Sequence, residues 1–474
     1  MFFIFLYQGI ISCNHTNGQD PVKPRLSVSE NQRFLKDIDG SPFLWIGGTV
    51  WGMSEWLSRE EIDYYLDDRQ KKGFNVVQVC LFWGKRTDDP VDFTANPPNF
   101  YGHSCFTDQD GIDPLTPAIR NGGSPEESND YWDHVDYMLE AMRKRSMIAA
   151  VLPVWGRRYV NATHPNFSQS IFTPESMYEY GRFLGNRYRH FDHIIWVLGG
   201  DVQADFGGDF LGHYRAMAEG INFGITGERC KWNENSRAWD FSLMTYHPDG
   251  APLKNSSRWF HQDVWLDFNM IETFVNVNSV YAAVEQDYQK REPVKPTVMG
   301  EPGYENHPGK EGTISATQVR RQAWQSFFAG AAGFTYGGFR DSLGNGPLFT
   351  PFRGWKQILD WEGAGSLAII SKFCLEQGWP DWTPRQEIVV AGRNEGEFMK
   401  AVVKVGQNRF LVFFPDNTEI SLKLESENHE IKLSWYNSLS NVYQDGENIQ
   451  IEAQALTVSP PAGWTEGILI LELK

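Results

Sequence analysis

Two short runs of this chain end in glycine followed by an acid. IIWVLGGD at 194–201 closes on Asp201, and TVMGEP at 297–302 carries Glu301. Each reads as a buried β-strand that delivers a carboxylate at its end. A facing pair of carboxylates is what cleaving a glycosidic bond requires. One protonates the leaving oxygen, and the other stabilises or attacks the anomeric carbon of an oxocarbenium-like transition state. Residue types that suit a sugar ligand end other apolar runs: Trp51, Trp83, Trp155 with Arg157 and Arg158, Tyr246 with His247, Glu272, and Tyr336. The three indoles can wall subsites by stacking on sugar C–H faces, while Arg158, Tyr246, His247 and Tyr336 offer polar contacts. No cysteine nucleophile or G-x-S-x-G elbow competes with this chemistry.

Plainer roles exist for each residue. Asp201 could cap a following helix, and Glu301, before Pro302, could serve a turn. Glu272 is the rival carboxylate but has no glycine before it. His247 suits a sugar hydroxyl or a carboxylate better than a metal, because the eleven histidines show no H-x-H or H-E-x-x-H spacing. Asp108-Gln109-Asp110-Gly111 with Asp113 is a partial calcium loop without its distal glutamate. No metal and no cofactor are therefore expected.

The elements that must position these groups follow one rhythm. Apolar runs at 43–51, 74–83, 147–155, 194–201, 242–248, 267–274, 296–302 and 332–338 alternate with amphipathic stretches. Helices are expected at Ser58–Lys72, Asp130–Arg145, Pro174–Tyr188, Ser279–Lys290 and Ala316–Ala329. Eight nearly continuous apolar strands separated by helices predict an α/β fold, a (β/α)8 TIM barrel, whose catalytic groups sit at the C-terminal strand ends. Strands four and seven then bring Asp201 and Glu301 to one face. The hairpin-like segment 26–43 would cap the barrel floor or join a second domain. Residues 85–129 form a long insertion on the catalytic face, of the kind that shapes a pocket. After about residue 375, short strands split by Asn, Gly, Pro and Asp turns predict an antiparallel β-sandwich. The expected organisation is a leader and tether at 1–24, a catalytic domain at 25–375 and the sandwich at 380–474.

Composition narrows the partners. A formal charge of −17 argues against nucleic acid or an anionic membrane surface. Eighteen Trp, 18 Tyr and 32 Phe favour a carbohydrate ligand, though a large aromatic core would use them too. MFFIFLYQGIISC has an export signal's apolar run without its basic start, and Ile10-Ile11-Ser12-Cys13 resembles a bacterial lipobox. The expectation is an exported lipoprotein, anchored through lipid on Cys13, at the bacterial surface or in the periplasm. The other four cysteines lack C-x-x-C spacing.

Several long motifs resemble one family. WIGGTVWGMSEWLSREEIDYYLDDRQKKGFNVVQ, IIWVLGGD, TYHP, WFHQDVWLDFNMIET and KPTVMGEPGYE are similar to the apiosidase-like glycoside hydrolases, glycoside hydrolase family 140. The C-terminal segment resembles the collagen-binding-type β-sandwich that often follows. The resemblance implies a glycoside hydrolase of plant cell-wall pectin, with apiose release the family's characterised activity. It carries the LGGD acid over to Asp201 and the GEP acid to Glu301. By analogy with the large barrel clan of glycosidases, Asp201 is the general acid/base and Glu301 the nucleophile of a retaining enzyme. That clan usually has Asn-Glu after strand four, where this chain has Gly200-Asp201. The rival reading is a carbohydrate- or matrix-binding surface lipoprotein on a barrel that has lost catalysis.

Overall fold

The computed structural model describes residues 21–84, 96–108, 112–120, 129–161, 171–339, 355–424, 429–451 and 455–474. Cys13 with its lipobox, about half of the insertion at 85–129 and the centre of the partial calcium loop lie outside these residues.

Eight parallel strands form the central sheet: β1 (Trp45–Thr49), β2 (Val76–Cys80), β3 (Ile148–Leu152), β4 (Ile194–Gly199), β5 (Met244–His247), β6 (Asn269–Glu272), β7 (Thr297–Glu301) and β8 (Gly333–Tyr336). Their order is β5-β4-β3-β2-β1-β8-β7-β6, a barrel whose one seam without a ladder lies between β5 and β6. Side chains bridge that seam. The Thr245 hydroxyl donates to the Phe268 carbonyl at 2.6 Å, and the Met244 amide donates to the Asp267 carboxylate at 2.7 Å. All eight expected runs are strands, trimmed by one to three residues at most ends.

The outer layer is α1 (Arg59–Lys71), α2 (Tyr131–Lys144), α3 (Pro174–Tyr188), α4 (Leu211–Thr226), α5 (Val280–Tyr288), α6 (Ala316–Phe328) and α7 (Glu362–Glu376). Their starts are set by the sequence. Ser58, Thr173 and Ser315 form reciprocal capping boxes, and Asp130 accepts from the Trp132 and Asp133 amides. After β5 only the short helix Ser257–Phe260 intervenes. The segment after Leu26 forms three short paired strands at the barrel floor, where Arg33 donates to the Tyr288 carbonyl.

The C-terminal sandwich has nine strands: β9 (Trp382–Pro384), β10 (Val389–Ala391), β11 (Ala401–Val405), β12 (Arg409–Phe414), β13 (Ile420–Lys423), β14 (His429–Asn437), β15 (Val442–Ile451), β16 (Ala455–Val458) and β17 (Gly467–Leu473). One sheet runs β9-β11-β12-β17-β14-β15 and the other β10-β13-β16. The six-stranded sheet is covered on both faces, with alternate residues going to different cores. Ala401, Val403, Leu411, Phe413, Ile468 and Ile470 join the barrel's own core. Val402, Phe410, Val412, Leu469 and Leu471 face the three-stranded sheet. Two-residue periodicity of this kind is the pleat of a strand with apolar partners on both sides.

A buried ion pair pins the joint. Arg320 on α6 reaches the Glu466 carboxylate at 2.8 Å, with the two side chains 5% and 2% exposed, and Ser438 donates to the same carboxylate. Removing Arg320 leaves the buried Glu466 with only Ser438 and a longer 3.9 Å contact from Arg321, so Arg320→Leu is expected to cost about 3 kcal/mol. Calorimetry of the full chain should show one unfolding transition for barrel and sandwich together. Two resolved transitions would contradict the shared core.

Candidate active site

The Asp201 end of the site is built by a backbone that only glycine can supply. β4 stops at Gly199, and Gly199, Gly200 and Asp201 follow one another at φ of +92°, +114° and +51°. A Cβ on Gly199 would sit 2.3 Å from the His247 carbonyl, and one on Gly200 would press the Trp155 ring at 3.0 Å. Asp201 thus stands two residues beyond its strand, in a left-handed turn that costs free energy for a non-glycine residue. It caps no helix, since α4 begins only at Leu211.

The Glu301 end is built by a bulge. Along β6 and β7 the register runs Met270 to Val298, Ile271 to Met299, then Glu272 to Glu301, so Gly300 is the unpaired extra residue. Its missing side chain admits Met270, whose Cγ lies 2.6 Å from where a Cβ would be. The Gly300 carbonyl accepts from Gln78 inside the barrel at 2.9 Å. The slip sets Glu272 and Glu301 directly opposite one another at the mouth, the arrangement like charges most disfavour.

His247, at the end of β5, lies between them and is fully buried. Its Nε2 is 3.0 Å from a Glu301 oxygen and its Nδ1 is 3.5 Å from a Glu272 oxygen. Nδ1 also lies 2.9 Å from the Pro248 carbonyl and 3.4 Å from the Asp201 amide nitrogen. Nδ1 thus meets one acceptor, the Pro248 carbonyl, and one donor, the Asp201 amide, while Nε2 faces the Glu301 carboxylate, so the ring proton can sit on either nitrogen. The Tyr304 hydroxyl is beside both Thr49 and Glu301, and burial pushes this phenol well above its ordinary range.

Charge is managed asymmetrically. Burial drives the Glu272 carboxyl well above the usual carboxylate range, and the nearby Glu301 and Asp201 push it further. Burial also lifts Asp201, to about 6, against the pull of Arg157 and with the help of Glu301. Arg157 Nη1 is 2.8 Å from the Asp201 carboxylate, whose side chain keeps 29% exposure. The Glu272 carboxyl is thus biased towards its protonated form, and Asp201 is set at about 6. Pairs pushed apart in this way mark acid–base sites.

Asp201, Glu272 and Glu301 open into one cavity of about 570 Å³, walled by Trp83 and Trp155 and carrying Arg157, Arg158, Asp249 and Lys310. Arg158 lies over the Trp83 ring at 4.0 Å and donates to the Trp83 carbonyl. Glu55, on the turn after β1, accepts from the Trp83 and Gly84 amides at 2.7 and 2.8 Å and fixes that wall.

The other expected ligand residues are placed elsewhere. Trp51 is fully buried behind the wall, 4.9 Å from the Trp155 ring and edge-on to His247 at 5.3 Å. His247 lies beneath the cavity, among its carboxylates. Tyr246 and Tyr336, expected to contact substrate, point away from the barrel axis. Tyr246 donates to the Val202 carbonyl and packs on Tyr214 and Phe260, whereas Tyr336 donates to Glu305. Strand alternation explains both, since each is one step out of phase with an inward side chain. Conversely, Tyr304, Glu55 and Lys310 enter the site without having been selected, and Arg157, noted after Trp155 but given no role, proves to be the partner of Asp201. Only Tyr304, within GEPGY, carried a local signal.

The family model described as apiosidase-like, catalytic domain, matches residues 29–381. A solved structure titled glycoside hydrolase is 24% identical, covers 95% of this chain and 97% of its own, and superposes with a TM-score of 0.76. A structure titled glycoside hydrolase family 5 from Bacteroides vulgatus ATCC 8482 is 26% identical over 94% of this chain and 93% of its own, with a TM-score of 0.74. A third, titled a glycoside hydrolase of the same organism with its activity unconfirmed, is 13% identical over 95% and 83%, with a TM-score of 0.65. No curated protein matches the chain.

The Arg157 contact makes a prediction about Asp201 alone. Arg157→Gln removes the charge that holds the carboxyl down, so its pKa should rise from about 6 to roughly 7. Carbon-13 titration of the labelled aspartate carboxyl reads this directly, and a fall would reverse the assignment.

Proposed function

The chain belongs to the apiosidase-like family, and from that premise we propose that it is a retaining glycoside hydrolase in which Asp201 is the general acid/base and Glu301 the nucleophile. The observation that carries this reading is the shared cavity: both carboxyls open into it, and only Asp201 is held at about 6 by burial against a guanidinium. An acid must hold its proton near working pH and give it up when the leaving oxygen needs it, which a pKa near 6 allows. Glu301 is enclosed by His247 and Tyr304, which suits a carboxylate that must keep one orientation for attack. Trp83 and Trp155 supply the stacking walls, with Arg158 held in place behind them. The proposed substrate is a pectic side chain of the plant cell wall, with a terminal apiose the best single candidate, acted on outside the cytoplasm.

Asp201→Asn is expected to lower hydrolysis by about 10²–10⁴-fold, and Glu301→Gln at least as far, with thermal unfolding little changed. A panel of pectic side chains with analysis of the released sugars checks both the activity and the sugar. Proton NMR of the first anomer released decides retention against inversion. Wild-type activity in either variant removes that residue from its role.

The pH dependence follows from the same groups. Asp201 must be protonated to donate, so kcat/KM should fall as pH rises through about 6. In Arg157→Gln this limb should move to higher pH, because the variant's acid keeps its proton longer. A limb that moves downward would rule out Asp201 as the acid.

A further inference from the structure

Three buried ligand-type groups converge at the cavity floor, and hydrolysis by two carboxyls uses only one of them directly. His247, Glu272 and Glu301 each offer one ligand atom, and these atoms all lie within 4.8 Å of one another. The side chains are between 0% and 5% exposed. Glu272 Oε2 is buried with no hydrogen-bond partner among the described residues, and His247 Nε2 and Glu301 Oε2, also buried, face one another at 3.0 Å without a well-formed hydrogen bond. Unsatisfied buried polar atoms are costly, and three ligand-type groups this close together could share one positive partner.

We propose that this trio is a binding site for a divalent cation of the zinc type. The imidazole can serve as a ligand: in the tautomer that donates Nδ1–H to the Pro248 carbonyl at 2.9 Å, Nε2 presents its lone pair. A backbone acceptor on the far nitrogen is the usual support of a metal-bound histidine. One nitrogen and two carboxylate oxygens suit zinc, cobalt or nickel rather than calcium or magnesium, which take more oxygens. Ligand bonds of about 2.0–2.2 Å place tetrahedral ligand atoms roughly 3.4 Å apart, so the trio must close by no more than roughly 1.5 Å. Three protein ligands leave the fourth position facing the cavity. A cation bound there sits on Glu301 itself, so zinc and glycoside hydrolysis exclude each other and zinc acts as a reversible inhibitor.

The inference stands apart from the hydrolytic reading, and calorimetry needs no substrate. The full chain, stripped with chelator and titrated with zinc chloride at neutral pH, should take up one equivalent at this site. Glu272→Gln keeps the shape of the side chain and should weaken that uptake about tenfold or more; His247→Asn should do the same. Circular dichroism checks that each variant is folded, and if His247→Asn is not, Glu272→Gln decides alone. No stoichiometric uptake by the wild-type chain would mean that protons alone satisfy the trio, and would overturn the proposal. Uptake unchanged in Glu272→Gln would place the cation elsewhere and overturn it equally.

Discussion

Crowding three carboxyl groups into the mouth of one barrel is the constraint that the rest of the site answers. In a medium where charges are poorly screened, Asp201, Glu272 and Glu301 cannot all be ionised at ordinary cost. The structure resolves this with a different device for each. Asp201 has a guanidinium and partial access to water. Glu272, buried at the cavity floor beside the other two, is pushed well above the usual carboxylate range. Glu301 has the imidazole of His247 and the phenol of Tyr304 beside it. Three chemically similar side chains thereby acquire three different sets of polar neighbours.

Holding such a group in place demands a stiff frame, and the backbone supplies it through departures from regularity. The bulge at Gly300 and the left-handed run Gly199–Asp201 are the points where strands stop being ideal. Both occur where a carboxylate must be re-aimed, the use to which bulges beside active sites are put. The seam between β5 and β6 adds a third irregularity. His247 and Glu272 stand on its two sides, so their spacing is set by the side-chain bridges of Thr245 and Asp267 and one backbone bond, Asp267 N–H to the Met244 carbonyl, rather than by a ladder.

Much of this frame was legible in the sequence, because an apolar run of five or six residues bounded by turns has one good use in a parallel barrel. All eight strands were found in that way, and so was the sandwich. Two helices, Leu211–Thr226 and Glu362–Glu376, were not foreseen. Their glycines and nearly all-round apolar character blur the helical period. The glycine–acid motif pointed to Asp201 and Glu301 for a reason now visible, since each glycine makes room for the turn or bulge that aims its acid. Tyr246 and Tyr336 were misplaced because an apolar strand with both faces buried gives no alternation from which to read direction. Arg157 and the trio around His247 were each named from the sequence, but their pairing was not. Their meaning lies in contacts between strands far apart in the chain, and neither has a spacing of its own.

The six-stranded sheet of the sandwich also bears on how this protein could have been assembled over time. A module that travels between genes needs a finished surface where it meets its host. Here alternate residues of β11, β12 and β17 belong to the barrel's interior and to the sandwich's own. Exchange of the C-terminal segment for an unrelated one would replace half of an interior, not an appendage. The two parts are therefore bound to be inherited together, and substitutions on α6 and on the facing strands must be accepted in step.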